Sequence, residues 1–311
     1  MIYKKNKKYS NNKQKSQEQY TFPWSGNIYN YCLDQAEKAK FTGRKVAGIL
    51  CDYLPYEIIM ASGAVPVFIN SYPIKPLQTI TKQIPPDICP LMQSNLEADI
   101  ADTVALMKNA DLLIAEATSS NRTKIYDILG KRYPIYVIEL PEKIDSPEAF
   151  QQWVMELRKF KTILEQRFRT TITRQRLRWA IKETNRQRQL IKQLIDLMKL
   201  PAPPLTGLEL LKTTALIACT PEEIDKFEEA FASMLERKVA SPYSSRKRVI
   251  ITGIFIPKVG EKIIEIIEKN DGLVVAKDKC TDIISFLDNI NPDVDDPIFV
   301  LAEKYKHSSC P

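Results

Sequence analysis

The residues in this chain most able to do chemistry are its thiols. Cys51 closes the stretch RKVAGILC, in which Lys45–Leu50 has the composition of a buried strand. Pro55–Gly63 then fits a short helix and Ala64–Ile69 a second strand. Cys51 therefore falls at the carboxyl end of a strand in a βαβ unit, the edge where open α/β sheets bind ligands. Cys89 follows in CPLMQS, opening another helix, while Cys280 in KDKCTD and Cys310 in SSCP come after a further strand–helix–strand. Thiols so placed point to a metal cluster held between two α/β domains. The single histidine, His307, gives little support to a His-based triad or a His-rich metal site.

The elements that must position these thiols follow from periodicity. Residues 27–144 form a first α/β domain with an N-terminal helix, Ile28–Phe41. Its expected strands are Lys45–Leu50, Val65–Ile69, Leu112–Ala115 and Ile135–Glu139, separated by helices Tyr56–Ser62, Asn95–Lys108 and Arg122–Gly130. Such alternation predicts a parallel, doubly wound sheet. Pro73–Pro90 contains five prolines and is expected to wrap across the sheet edge. Residues 145–204 form a helical insertion with a stiff proline linker. Ser146 and Thr173 are candidate caps, and Ile172, Leu177, Ile181, Ile191, Leu194, Ile195 and Met198 form an apolar stripe.

Residues 205–311 hold a second α/β domain: helix Glu222–Glu236 capped by Thr220, strand Arg248–Gly253, helix Pro257–Asn270, strand Gly272–Lys277 and helix Thr281–Leu287. Two strands are fewer than the roughly four to six usual in a sheet, so this domain is expected to be incomplete. The fold class is α/β, with two Rossmann-like or flavodoxin-like parallel-sheet domains joined by a helical segment.

Charge is unevenly distributed. Of the net +7, residues 1–20 carry +5 and residues 158–199 carry +10, leaving −8 elsewhere. Residues 1–26 have the composition of a disordered basic tail. The basic helical stretch lacks interleaved aromatics or a recognised binding module, so a solvated face is favoured over a nucleic-acid surface. No apolar run is long enough to span a bilayer and no apolar signal core opens the chain. A cytoplasmic protein is expected, whose six cysteines are ligands or inert core residues; Cys32 and Cys219 read as buried small hydrophobes.

Several segments, in this order and spacing, resemble one family. They are CDYLPYEIIMASGAVPVFI, CPLMQS, ADLLIAEATSSNRTKIYDILG, ITRQRLRWAIKETNRQR, PPLTGLELL, RVIITG, EKIIEIIEKNDGLVVAKDKCTD and DDPIFVLAEKYKHSSCP. The resemblance spans Val46 to Pro311 and is to the D-component family of the 2-hydroxyacyl-CoA dehydratases, which are benzoyl-CoA reductase subunit-like. Within it the chain is most similar to the double-cubane-cluster branch of anaerobic iron–sulfur reductases. The resemblance implies a [4Fe–4S]-type cluster, an ATP-dependent iron–sulfur activator as electron source, an acyl-CoA or other small-molecule substrate, and a homo- or heterodimer. No GxxxxGK[ST] loop is present, so ATP hydrolysis would belong to the activator. Glu57 and Ser94 match family positions, although solvated helix residues would look the same.

The ligand positions depart from the family. Cys89, Cys280 and Cys310 match expected cluster thiolates, whereas Val104, Ser119 and Ile254 stand where the family places further cysteines. A cubane normally takes four ligands, and three suffice when one iron stays open. Three matching thiols allow one cubane, not a linked pair. Two readings therefore compete: an iron–sulfur reductase or dehydratase-like enzyme, and a cluster-deficient, non-catalytic paralogue or incomplete gene product acting as a binding or scaffold subunit. A third, weaker reading is nucleic-acid binding through the basic segments.

Overall fold

The computed structural model describes residues 28–50, 54–69, 104–117, 120–141, 144–214, 220–235, 243, 245–252, 257–278 and 288–306. In chain order these hold α1 (Ile28–Phe41), β1 (Val46–Ile49), α2 (Tyr56–Ala61), β2 (Val65–Phe68), α3 (Val104–Asn109), β3 (Leu112–Ala117), α4 (Ser120–Gly130) and β4 (Ile135–Glu139). They continue through α5 (Pro147–Phe168), α6 (Arg174–Lys199), α7 (Gly207–Thr213), α8 (Pro221–Leu235), β5 (Lys247–Thr252), α9 (Pro257–Lys269), β6 (Gly272–Asp278) and α10 (Pro297–Tyr305).

Apart from Glu116, strands β1, β2 and β3 are apolar on both faces and almost wholly buried, which is the composition of a sheet covered by helices on both sides. The first sheet has the order β2-β1-β3-β4 with every pairing parallel. This is the doubly wound arrangement the alternation predicts, with its reversal of direction between β1 and β3. Asp111 fastens that junction from the amino edge: its Oδ2 accepts the Val46 N–H at 2.9 Å. β5 and β6 form a separate parallel pair with a register shift at Val249/Ile250. They pack with α7 and α9 around a small cluster of Leu211, Ile264 and Val274. Gly207 is required where α7 meets β6, because a Cβ there would lie 2.4 Å from the Val274 carbonyl oxygen.

The long helices are set by local signals. Ser146 accepts the Ala149 N–H and precedes Pro147 in the first turn of α5. Thr173 accepts the Arg176 N–H at the start of α6, and each such cap is worth about 1 kcal/mol. Thr220 and Glu223 exchange backbone and side-chain hydrogen bonds ahead of α8. A second such box, Thr206 with Glu209, starts α7, and Asp296 with Pro297 starts α10. Periodicity marks neither of these last two helices.

The predicted stripe on α6 is buried, apart from half-buried Ile195. It packs on α2, and together with α1, α5, α8 and α10 it joins the core of the four-stranded sheet. Most of the Lys and Arg of residues 158–199 are exposed, as a solvated basic face requires, and the buried Arg188 is the exception. Arg188 is 6 % exposed, and Arg186 donates to Glu183, Asp225 and Glu228. Arg158, Arg174 and Lys182 face Asp296, Asp295 and Asp293. The charge density of the stretch is answered by distant acids that spacing along the helix does not reveal. The tail, the proline-rich loop and the helix expected at Thr281–Leu287 lie outside the described residues, as does 95–103 of the helix expected at Asn95–Lys108. No helix among the described residues is long and apolar enough to cross a membrane.

Candidate functional site

The carboxyl edge of the four-stranded sheet is where a doubly wound fold presents its chemistry. β1 delivers the chain there through Leu50, whose N–H donates to Ile114 O at 2.9 Å. α2 follows directly, and all six of its residues are buried. Glu57 lies in its first turn with 0 % exposure, so the solvated alternative for this residue is overturned. A carboxylate with no access to water must be paired and hydrogen-bonded.

Two elements supply the partners. From α6, the Thr184 hydroxyl donates to Glu57 Oε1 at 3.0 Å, and Arg188 Nη2 donates to the same oxygen. Arg188 Nη1 donates to Thr184 Oγ1 and Asn185 Oδ1, both at 3.0 Å. From the last turn of α10, the Tyr305 hydroxyl donates to Glu57 Oε2 at 3.1 Å. Both carboxylate oxygens are thus engaged, and Glu57 serves first as a fastener between α2, α6 and α10. Asn185 extends the fastening: its Nδ2 donates to Ile290 O at 2.7 Å and its Oδ1 accepts the Ile290 N–H at 3.0 Å. Trp153 on α5 donates its indole N–H to Ala302 O at 3.1 Å, holding α10 from the other side.

The electrostatics keep this cluster charged where it must be. Burial works against the Arg188 charge, but Glu57 and Tyr305 outweigh it and raise its pKa. Burial, reinforced by the Glu57 carboxylate, pushes the Tyr305 phenol well above its ordinary value, so it stays a donor. Lys304 is lowered by burial and then by repulsion from Arg188, partly offset by Asp288 and Glu57. Glu116, on the carboxyl half of β3, is a second carboxylate with 0 % exposure on this sheet.

Of the thiols, Cys32 is described and is a core residue of α1, 4 % exposed, as composition predicts. Cys51, Cys89, Cys219, Cys280 and Cys310 lie outside the described residues, as do Ser94, Ser119 and Ile254. Val104 is the first residue of α3. Among the described residues no three His, Cys, Asp or Glu side chains are grouped to hold a metal ion. Arg188, Thr184 and Tyr305 belong to no recognised motif, yet the sequence holds one signal of them. An acid inside the otherwise apolar helix YEIIMA demands a buried cation, and Arg188 falls on the apolar stripe of α6 between Thr184 and Ile191.

Fold and site together define an α/β protein whose doubly wound sheet carries a buried ionic cluster at its carboxyl edge. The family model for the 2-hydroxyglutaryl-CoA dehydratase D-component matches residues 51–311, and the chain belongs to that family. It is also 28% identical over 275 residues to the "Putative dehydratase subunit YjiM" of Escherichia coli (strain K12). That similarity covers 87% of this chain and 72% of that protein.

Proposed function

We propose that this 2-hydroxyacyl-CoA dehydratase-family protein is an iron–sulfur subunit of the reductase or dehydratase type, using one [4Fe–4S]-type cluster. The observation that carries the reading is the family match across 51–311 with Cys89, Cys280 and Cys310 retained inside it. The donor set has the chemistry for one cubane, because three thiolates leave a single iron open for substrate. It lacks the chemistry for two, since Val104 and Ile254 cannot ligate and a serine hydroxyl such as Ser119 is a poor ligand for a soft metal. When bound, such a cluster supplies single low-potential electrons to an acyl-CoA or other small substrate.

The chain's own contribution is position and dryness. Glu57 comes six residues after Cys51, and Tyr305 comes five before Cys310. Their hydrogen bond, with Arg188 behind it, fixes the helices that flank two thiol-bearing segments. In this reading residues 27–144 and 205–311 are the two α/β domains, 145–204 joins them, and 1–26 is a basic tail. An ATP-dependent activator delivers the electrons, and a second subunit completes a dimer. The second reading, a cluster-deficient scaffold subunit, is favoured by valine, serine and isoleucine at expected thiolate positions.

Anaerobic reconstitution followed by iron and sulfide analysis separates the two. The enzyme reading expects about four of each per chain. Fewer than about one iron per chain would sink it and leave the scaffold.

A further inference from the structure

A cavity of about 520 Å³, lined by Lys45, Asp111, Arg167 and Arg169, opens at the other edge of the four-stranded sheet. Lys45 is the residue before β1 and Asp111 the residue before β3, so the cavity sits at the amino ends of the strands. The Glu57 cluster lies beyond the carboxyl ends. Strands of four to six residues put roughly 13–20 Å between the two edges.

The charge of the cavity does not balance. Asp111 is fully committed: one oxygen accepts the Val46 N–H at 2.9 Å and the other takes the Lys45 ammonium at 2.9 Å. Lys45 therefore cancels the one carboxylate present. Arg167 lies in the last turn of α5 and Arg169 is its cap; both side chains are exposed, and among the described residues neither side chain has a hydrogen bond or a carboxylate partner. The nearest acid along the chain, Glu165, is already used by Lys161 at 2.8 Å and by the Ile172 N–H at 2.7 Å. Arg169 also holds a left-handed backbone, φ 52°, where glycine or asparagine is the usual helix-ending residue. A cation near the carboxyl end of α5 complements the helix dipole. That accounts for one positive charge in the last turn, not for a second guanidinium lining the same cavity.

We infer that this cavity binds a phosphate-bearing anion, with the two arginines as forked donors and a diphosphate group as the recognised moiety. Guanidinium forks match phosphate oxygens bidentately, and a diphosphate supplies enough negative charge for both. The volume admits a nucleotide-sized ligand. Free pyrophosphate and a nucleoside diphosphate share this chemistry. The inference is independent of any cluster at the carboxyl edge.

Isothermal titration of the full chain with pyrophosphate, ADP and citrate at about 150 mM salt tests it, citrate being the multiply charged control without phosphorus. Wild type binds pyrophosphate or ADP and binds citrate at least tenfold more weakly. Tighter binding of ADP than of pyrophosphate identifies a nucleotide as the source, and equal binding identifies the diphosphate alone. Arg169→Gly suits the left-handed backbone and keeps the wild-type melting temperature while weakening phosphate binding about tenfold, the usual effect of losing one charged hydrogen-bonding group. Arg167→Gln, on the exposed side of α5, does the same and serves if the glycine variant does not fold. No binding at this salt, equal binding of citrate, or wild-type affinity in a folded arginine variant overturns the assignment.

Discussion

Replacing Arg188 with methionine removes three donated hydrogen bonds and the only cation bonded to Glu57 among the described residues. Glu57 keeps the Thr184 and Tyr305 hydroxyls but loses its counter-charge while remaining inaccessible to water. A unit charge pair about 4 Å apart in surroundings of effective dielectric near 20 is worth about 4 kcal/mol. Breaking buried pairs by removing one partner costs about 3–5 kcal/mol, which agrees. At roughly 2 °C per kcal/mol for a chain of this size, Arg188→Met should melt about 6–10 °C below wild type at pH 7. Glu57→Gln alone should cost a similar amount, because it leaves a buried guanidinium without its anion. The double variant should lose about 2–3 kcal/mol less than the sum of the singles, measured by urea unfolding followed by circular dichroism. A loss under about 1 kcal/mol for Arg188→Met, or a cycle that closes to within about 0.5 kcal/mol, would refute the fastening role.

Two further outcomes follow from the same physics. Lys304 has a lowered folded-state pKa and the ordinary value of 10.5 when unfolded, so the folded state binds fewer protons between those two values. Wild-type stability should therefore rise with pH through that window and level off above it, whereas Lys304→Met should be more stable than wild type at pH 7 and lack the alkaline rise in a melting-temperature series. Gly207→Ala sets a Cβ against the Val274 carbonyl and should cost about 1–3 kcal/mol, with amide exchange accelerated around β6 and unchanged around Glu57.

The α/β frame was legible because its signals are local. Strands such as VAGI and VPVF are apolar on both faces, and the caps at Ser146, Thr173 and Thr220 work within three residues of sequence. Thr206–Glu209 and Asp296–Pro297 are equally local signals, but each precedes a helix of fewer than ten residues, too short for periodicity to stand out. The ionic cluster is of another kind. Glu57 meets Arg188 and Tyr305 across 131 and 248 positions, so no spacing rule joins them. The same distance hid the acids at Asp293, Asp295 and Asp296 that answer the basic helices. Burial of Glu57 could be inferred from its apolar helix, whereas the identity of its partner needed the fold.

We propose that Cys89, Cys280 and Cys310 together hold one cluster. The most direct measurement is low-temperature EPR of the anaerobically reconstituted, dithionite-reduced protein, comparing Cys89→Ser, Cys280→Ser and Cys310→Ser with Cys32→Ser. The account predicts a reduced-cluster signal in wild type that survives Cys32→Ser and is lost or strongly diminished in each of the other three. An unchanged signal in any of those three, or no signal in wild type with iron incorporated, would contradict it.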